Sequence, residues 1–97
     1  MSDVLRELQS WYGEQCNGIW EHQYGVSISN IDNPGWIFEV DLSDTILLEK
    51  KFESVVMNNN ESGEWYNCQK YANKFIANCS PYELIVVIKI FTDWVNT

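Results

Sequence analysis

The only histidine of the chain follows a carboxylate in Trp20-Glu21-His22, and Cys16 precedes it across Asn17-Gly18. Those residue types could make an acid–base pair or a Cys/His metal site. The spacing favours neither. In an extended segment adjacent side chains point to opposite sides, so Glu21 and His22 would not face one another. A metal site needs three or four converging ligands, and one histidine without a local thiol pair supplies too few. No metal and no cofactor are expected.

The three thiols, Cys16, Cys68 and Cys79, show no C-x-x-C spacing. Their odd number fits a reducing compartment better than a disulfide framework. A nucleophilic cysteine needs a nearby cation or a helix N-terminus to lower its pKa. Cys16 falls at the C-terminal end of a helix, where the dipole disfavours a thiolate. Cys68 alternates with Tyr66 on a strand and reads as packing. Cys79, just before a second long helix, is the one electrostatically suitable thiol. Arg6 is the only arginine, so a sulfurtransferase-like Cys–Arg loop is missing, as are phosphate-binding glycine patterns and a serine nucleophile elbow. The expectation is a protein that is not an enzyme. The alternative is a small hydrolase or sulfurtransferase-like enzyme using Cys79 or the Glu21/His22 pair.

Glu39 and Asp41 are two apart on a strand and share a face, a spacing that could serve a glycosidase-like carboxylate pair. The plainer reading is a solvated acidic sheet face, with Ser27 and Ser29 beside it on a neighbouring strand and Asp44 just beyond. Such a face can dock basic side chains without catalysis.

Charge supports binding of that kind. Fourteen acidic residues against six basic ones give a formal charge of −8 in 97 residues. A field of that sign repels nucleic acid and anionic membrane surfaces and attracts a basic partner; solubility alone accounts for it equally well. No basic-then-apolar segment opens the sequence, and the apolar stretch 84–91, broken by Lys89, is too short to span a bilayer. A cytoplasmic protein is expected.

The elements that must position these residues follow from periodicity. Val4, Leu5, Leu8, Trp11 and Tyr12 line one face of a helix over 3–14, with Ser2 as its cap. Tyr24, Val26 and Ile28 then alternate with small polar residues. Asp32-Asn33-Pro34-Gly35 is strong turn chemistry, Pro34 presetting its own φ and Gly35 accepting a positive one. Trp36, Phe38, Val40 and Leu42 alternate beyond it, which completes a β-hairpin. Further strands are expected over 52–57 and 65–71, with a short fifth over 75–78. Ser80-Pro81-Tyr82-Glu83 matches a capping box with proline at the first helical position. Leu84, Val87, Ile88, Phe91, Trp94 and Val95 follow at helical spacing, although residues 84–88 are β-branched enough to form a buried strand. Val86 and Ile90 fall outside the main apolar arc, which leaves room for a second copy. The expected state is a monomer or weak homodimer. Trp11, Trp36 and Trp94 are core-facing by periodicity, while Trp20 and Trp65 are undetermined. One α+β domain over 1–97 is expected, an antiparallel β-meander of four to five strands flanked by an N-terminal and a C-terminal helix packed on one face.

Residues 11–42 also carry a resemblance. Trp11-Tyr12, Cys16-Asn17-Gly18, Trp20-Glu21-His22, Tyr24-Gly25, Ile28, Asp32-Asn33-Pro34-Gly35-Trp36 and Val40-Asp41-Leu42 resemble the signature of the immunity protein 53 family. The likeness continues loosely through Phe52-Glu53 and Ile90 to Trp94. Asn17 and Asn30 stand where the family pattern carries Asp and Thr, departures that leave the fold untouched but bear on partner choice. The resemblance implies a protein of a bacterial polymorphic-toxin locus that binds one cognate toxin and blocks it. It implies no catalytic residue. The motif residues then read as scaffold, with Trp20-Glu21-His22 locking the loop between helix and sheet and Glu21 accepting backbone or His22 hydrogen bonds. Contacts with the toxin are expected at Ser27, Ser29, Glu39, Asp41 and Asp44.

Overall fold

In the computed structural model, which describes residues 3–97, helix α1 spans Val4–Gln15. Ser2, the expected cap, lies outside the described residues. Asp3 accepts the Arg6 N–H at 3.2 Å, which satisfies one of the donors a helix start leaves unpaired. Val4, Leu8 and Trp11 are buried, but Leu5 and Tyr12 remain 49% and 38% exposed. The apolar stripe is narrower than the spacing predicts because α1 packs chiefly on the C-terminal helix and not across the sheet.

A one-turn helix α2 (Trp20–Gln23) follows, and then strands β1 (Val26–Ile31), β2 (Gly35–Asp41), β3 (Val55–Asn58), β4 (Trp65–Tyr71) and β5 (Lys74–Cys79), and helix α3 (Leu84–Val95). All strand pairs are antiparallel, and α1 and α3 flank the five-stranded sheet as the α+β reading expects. The order β1-β2-β5-β4-β3 is not one continuous meander. The hairpin β1–β2 and the meander β3–β4–β5 are separate units joined where β2 pairs with β5. The fifth strand, which the sequence marks only as a short one, is therefore the centre of the sheet.

Phe38, Val40, Phe75, Ala77, Cys79 and Cys68 alternate onto the inner face and are buried. Against them α3 sets Val87, Ile88, Phe91 and Trp94, so residues 84–95 are helix and not the rival strand. Phe75 is the hub, with Phe91 at 5.1 Å, Phe52 at 5.2 Å and Phe38 at 5.9 Å between ring centroids. Phe52 explains why β3 begins at Val55: its ring is committed to Phe75 and, at 5.3 Å, to Trp94, away from any ladder. Ile90 packs on the same core.

The capping box expected at residues 80–83 does not form. Ser80 Oγ accepts the Trp65 N–H at 3.1 Å while its own N–H donates to the Trp65 carbonyl at 2.9 Å. The serine closes the end of β4 against β5, and α3 starts after a turn at Leu84. The segment between β2 and β3 has no regular structure but is lashed down by ammonium groups. Lys70 Nζ donates to the Leu48 and Lys50 carbonyls at 2.6 and 2.9 Å, and Lys50 Nζ to the Trp94 carbonyl at 2.7 Å.

Gly35 has a role other than the positive φ its turn position suggests. It is the first residue of β2, with Ile31 opposite it across the turn, and it lies against the next strand so closely that a Cβ would run into the carbonyl of Cys79. A backbone collision cannot be relieved by a rotamer change. Gly35→Ala is expected to cost about 1–3 kcal/mol, the usual range for overpacking, read as a lower urea midpoint with an unchanged slope.

Candidate functional site

With helices on one side, the other face of the sheet is uncovered. Strand register places its side chains in rows. Ser27, Glu39, Ile76 and Gln69 form one; Ser29, Ile37, Asn78, Asn67 and Val56 form the next; Asp41, Lys74 and Tyr71 form a third. Ser27, Ser29, Glu39 and Asp41 are thus brought together on one surface. Asp44 is not on it: the residue sits in the turn after β2, exposed, at φ 60°.

The face is less purely acidic than the spacing of the first two strands predicts. Lys74 Nζ lies 3.7 Å from Glu39 Oε2 and 4.0 Å from Asp41 Oδ1, leaving one uncompensated negative charge in the trio. Ile37, Ile76 and three amides add a mixed apolar and hydrogen-bonding surface. Asp41 has a second duty, since its Oδ2 accepts the Gly25 N–H at 3.0 Å. Gly25, Ser27, Glu39, Asp41 and Lys74 surround a hollow of about 200 Å³. The alternation Lys74, Ile76, Asn78 was visible in the sequence as a signal for the missing residues. Its use required knowing that β5 neighbours β2.

The Trp20-Glu21-His22 motif is a helical turn and not the extended segment expected. Asn17 Oδ1 accepts the Ile19 and Trp20 N–H groups at 3.0 and 2.9 Å, as an N-cap does. Glu21 reaches back to accept the Asn17 and Gly18 N–H groups at 2.9 and 2.7 Å. This reciprocal cap turns the chain from α1 into β1. Asn17 serves it as an aspartate would, because both side chains offer the same acceptor. Trp20 is buried, and its Nε1 donates to the Ser43 carbonyl at 2.8 Å. Its ring meets Trp11 edge-on at 6.0 Å. Tyr24 packs beside Trp20, while His22 is exposed. Asp32, Asn33 and Pro34 form the exposed hairpin turn, its Asn33–Pro34 bond cis. Trp36 is half-buried, with Nε1 donating to the Pro81 carbonyl at 3.0 Å.

The thiols do not gather into a reactive site. Cys79 is the last residue of β5, fully buried, and not at a helix N-terminus. Burial raises its pKa, the Glu83 carboxylate adds to the effect, and the Trp36 N–H only partly offsets it. Burial likewise pushes Cys68 up to about 12. Cys16 is exposed and donates to the Tyr12 carbonyl at 3.3 Å. Among the described residues no three His, Cys, Asp or Glu side chains converge as metal ligands would, and no helix is long and apolar enough to cross a membrane.

The family model of immunity protein 53 matches residues 5–96. The chain belongs to this family. It is an immunity protein, one that neutralises a polymorphic toxin. No curated protein and no solved structure matches it. In the immunity protein, Glu21 locks the loop, His22 is exposed, and Cys79 is a core residue.

The lock has a pH signature. Its own backbone N–H first, and then those of Asn17 and Gly18, hold the Glu21 carboxyl below the usual carboxylate range. A depressed folded-state pKa stabilises the fold above the unfolded carboxyl pKa, and that contribution is lost as pH falls through the folded value. Glu21→Gln is therefore expected to melt lower than the parent protein at pH 7, with the gap closing as the pH is taken below the carboxylate range; thermal unfolding followed by circular dichroism checks it.

Proposed function

We propose that the immunity protein blocks its toxin stoichiometrically by laying the uncovered sheet face against a basic toxin domain, such as that of a nuclease. The observation that carries this reading is the composition of the face itself: Glu39 and Asp41 beside Ser27 and Ser29, with apolar and amide side chains on the central strand. Small serines leave the carboxylates reachable, and the rigid sheet holds them in place before binding. A net charge of −8 speeds encounter with a cationic surface and disfavours nucleic acid as a direct partner. An interface of about 800 Å² per partner would take roughly an eighth of the 6314 Å² surface. The protein works in the cytoplasm as a monomer or weak homodimer and needs no cofactor.

Glu39 and Asp41 are unequal test sites. Asp41 also holds the Gly25 N–H, so reversing its charge would disturb the start of β1. Glu39 makes only the partly exposed contact with Lys74, worth about 0–1 kcal/mol. Glu39→Lys is expected to weaken toxin binding at least tenfold, about 1.4 kcal/mol, with little change in melting temperature. Calorimetric titration with the cognate toxin domain checks it, and unchanged affinity removes this face from the interface. His22→Ala and Cys79→Ser are expected to protect toxin-expressing cells as well as the parent does. Loss of protection in either variant, folded and still binding toxin, would point to chemistry instead.

A further inference from the structure

Strand β1 is an edge of the sheet, and nothing guards it. Exposed edges are usually blunted by proline, lysine or a bulge. Val26-Ser27-Ile28-Ser29-Asn30-Ile31 contains none of these, and its register with β2 is one-to-one over all six residues. The Asp41 N–H donates to the Gly25 carbonyl at 3.0 Å, so Gly25 turns its carbonyl towards β2. By the antiparallel alternation Val26, Ile28 and Asn30 then aim their N–H and C=O groups outward. Among the described residues those groups have no hydrogen-bond partner.

The two sides of this edge differ in chemistry. On the helix side, α1 stands off from β1 and leaves an apolar groove of about 610 Å³, walled by Leu5, Leu8, Tyr12, Tyr24 and Val26. Leu5 and Tyr12 are the α1 residues that the core does not cover. On the open side lies the hollow with Glu39 and Asp41. Both hollows share Gly25 and Val26, so a single backbone stretch separates an apolar cavity from an acidic one.

We propose that β1 is a docking strand for an extended segment of the toxin in which apolar and basic side chains alternate. A strand added at this edge lies about 4.8 Å from β1 and sends successive side chains to opposite faces. Residues facing Val26 and Ile28 enter the groove side. Residues beside Ser27 and Ser29 lie two strand spacings, roughly 10 Å, from β2, and the serines leave a lysine or arginine a clear path to Glu39. A second copy of the chain is disfavoured as occupant, because two molecules of charge −8 would meet beside their own carboxylates. This inference rests on the blockade reading and adds to it the shape and side-chain pattern of the partner.

The probe is a capped eight-residue peptide alternating lysine and leucine, titrated into the ¹⁵N-labelled full chain. The expected result is slowed exchange of the Val26, Ile28 and Asn30 amides, with at least tenfold weaker binding of peptides alternating glutamate and leucine or lysine and serine. Proline at an outward-facing position costs no ladder bond within the sheet. Ile28→Pro and Asn30→Pro are each expected to lose at least tenfold in affinity while melting cooperatively. Protection of other amides in the parent chain overturns the proposal, whether or not the variants fold. So does peptide binding that folded proline variants retain, and so does light scattering showing a dimer that protects the same amides without peptide. Titration with a cognate toxin domain separates the two readings. Equal binding to the parent and both proline variants removes the edge and leaves blockade standing. No binding to the parent removes blockade, while the peptide titration still decides the edge.

Discussion

The pairing of β2 with β5, from Trp36 opposite Cys79 to Asp41 opposite Lys74, is the junction on which the molecule depends. It joins a local hairpin to a meander that begins many residues later in the chain. On the inner side it sets Phe38 against Phe75, and so builds the seat for Phe91. On the outer side it brings Lys74 between Glu39 and Asp41. Gly35 is required because the two backbones meet too closely there for any side chain. One ladder therefore determines both the core and the composition of the uncovered face.

The division of labour between the two faces suits a protein that acts by occupancy. Polar side chains of the interior are spent on backbone groups: Trp20 on Ser43, Trp94 on Lys51, Lys70 on Leu48 and Lys50. No buried side-chain nitrogen or oxygen lacks a partner among the described residues. Glu21, the carboxylate that looks most like a catalytic acid, is saturated by N–H groups and held ionised. The uncovered sheet face and the edge of β1 are stiff by construction and need little ordering on contact.

Much of this was legible in residue patterns. The hairpin, α1 and α3 followed from period and turn chemistry, because each is specified by contacts within a dozen residues. The errors arose where a distant partner overruled a local signal. Ser80-Pro81-Tyr82-Glu83 reads as a capping box, yet the start of β4 takes the serine. Residues 52–54 have strand-like composition, yet Phe52 is captured by Phe75 and Trp94. Trp20-Glu21-His22 reads as extended unless Asn17 is recognised as its cap. Lys74 tempers the acidic face, but no local rule announces that β5 lies beside β2. Strand order was the missing quantity, and with it went half of the candidate surface.

The position of α3 along the chain has a consequence for the order in which the fold closes. Val87, Ile88, Phe91 and Trp94 belong to a helix that packs on the central strands β2, β5 and β4, and α1 in turn rests on α3. Until that helix leaves the ribosome, the nascent sheet has a bare aromatic face and the first helix has nothing to lie on. Contacts of such long sequence separation close late. A chain without α3 therefore lacks both the cover for its aromatic sheet face and the seat of α1, and the fold closes only when this helix docks.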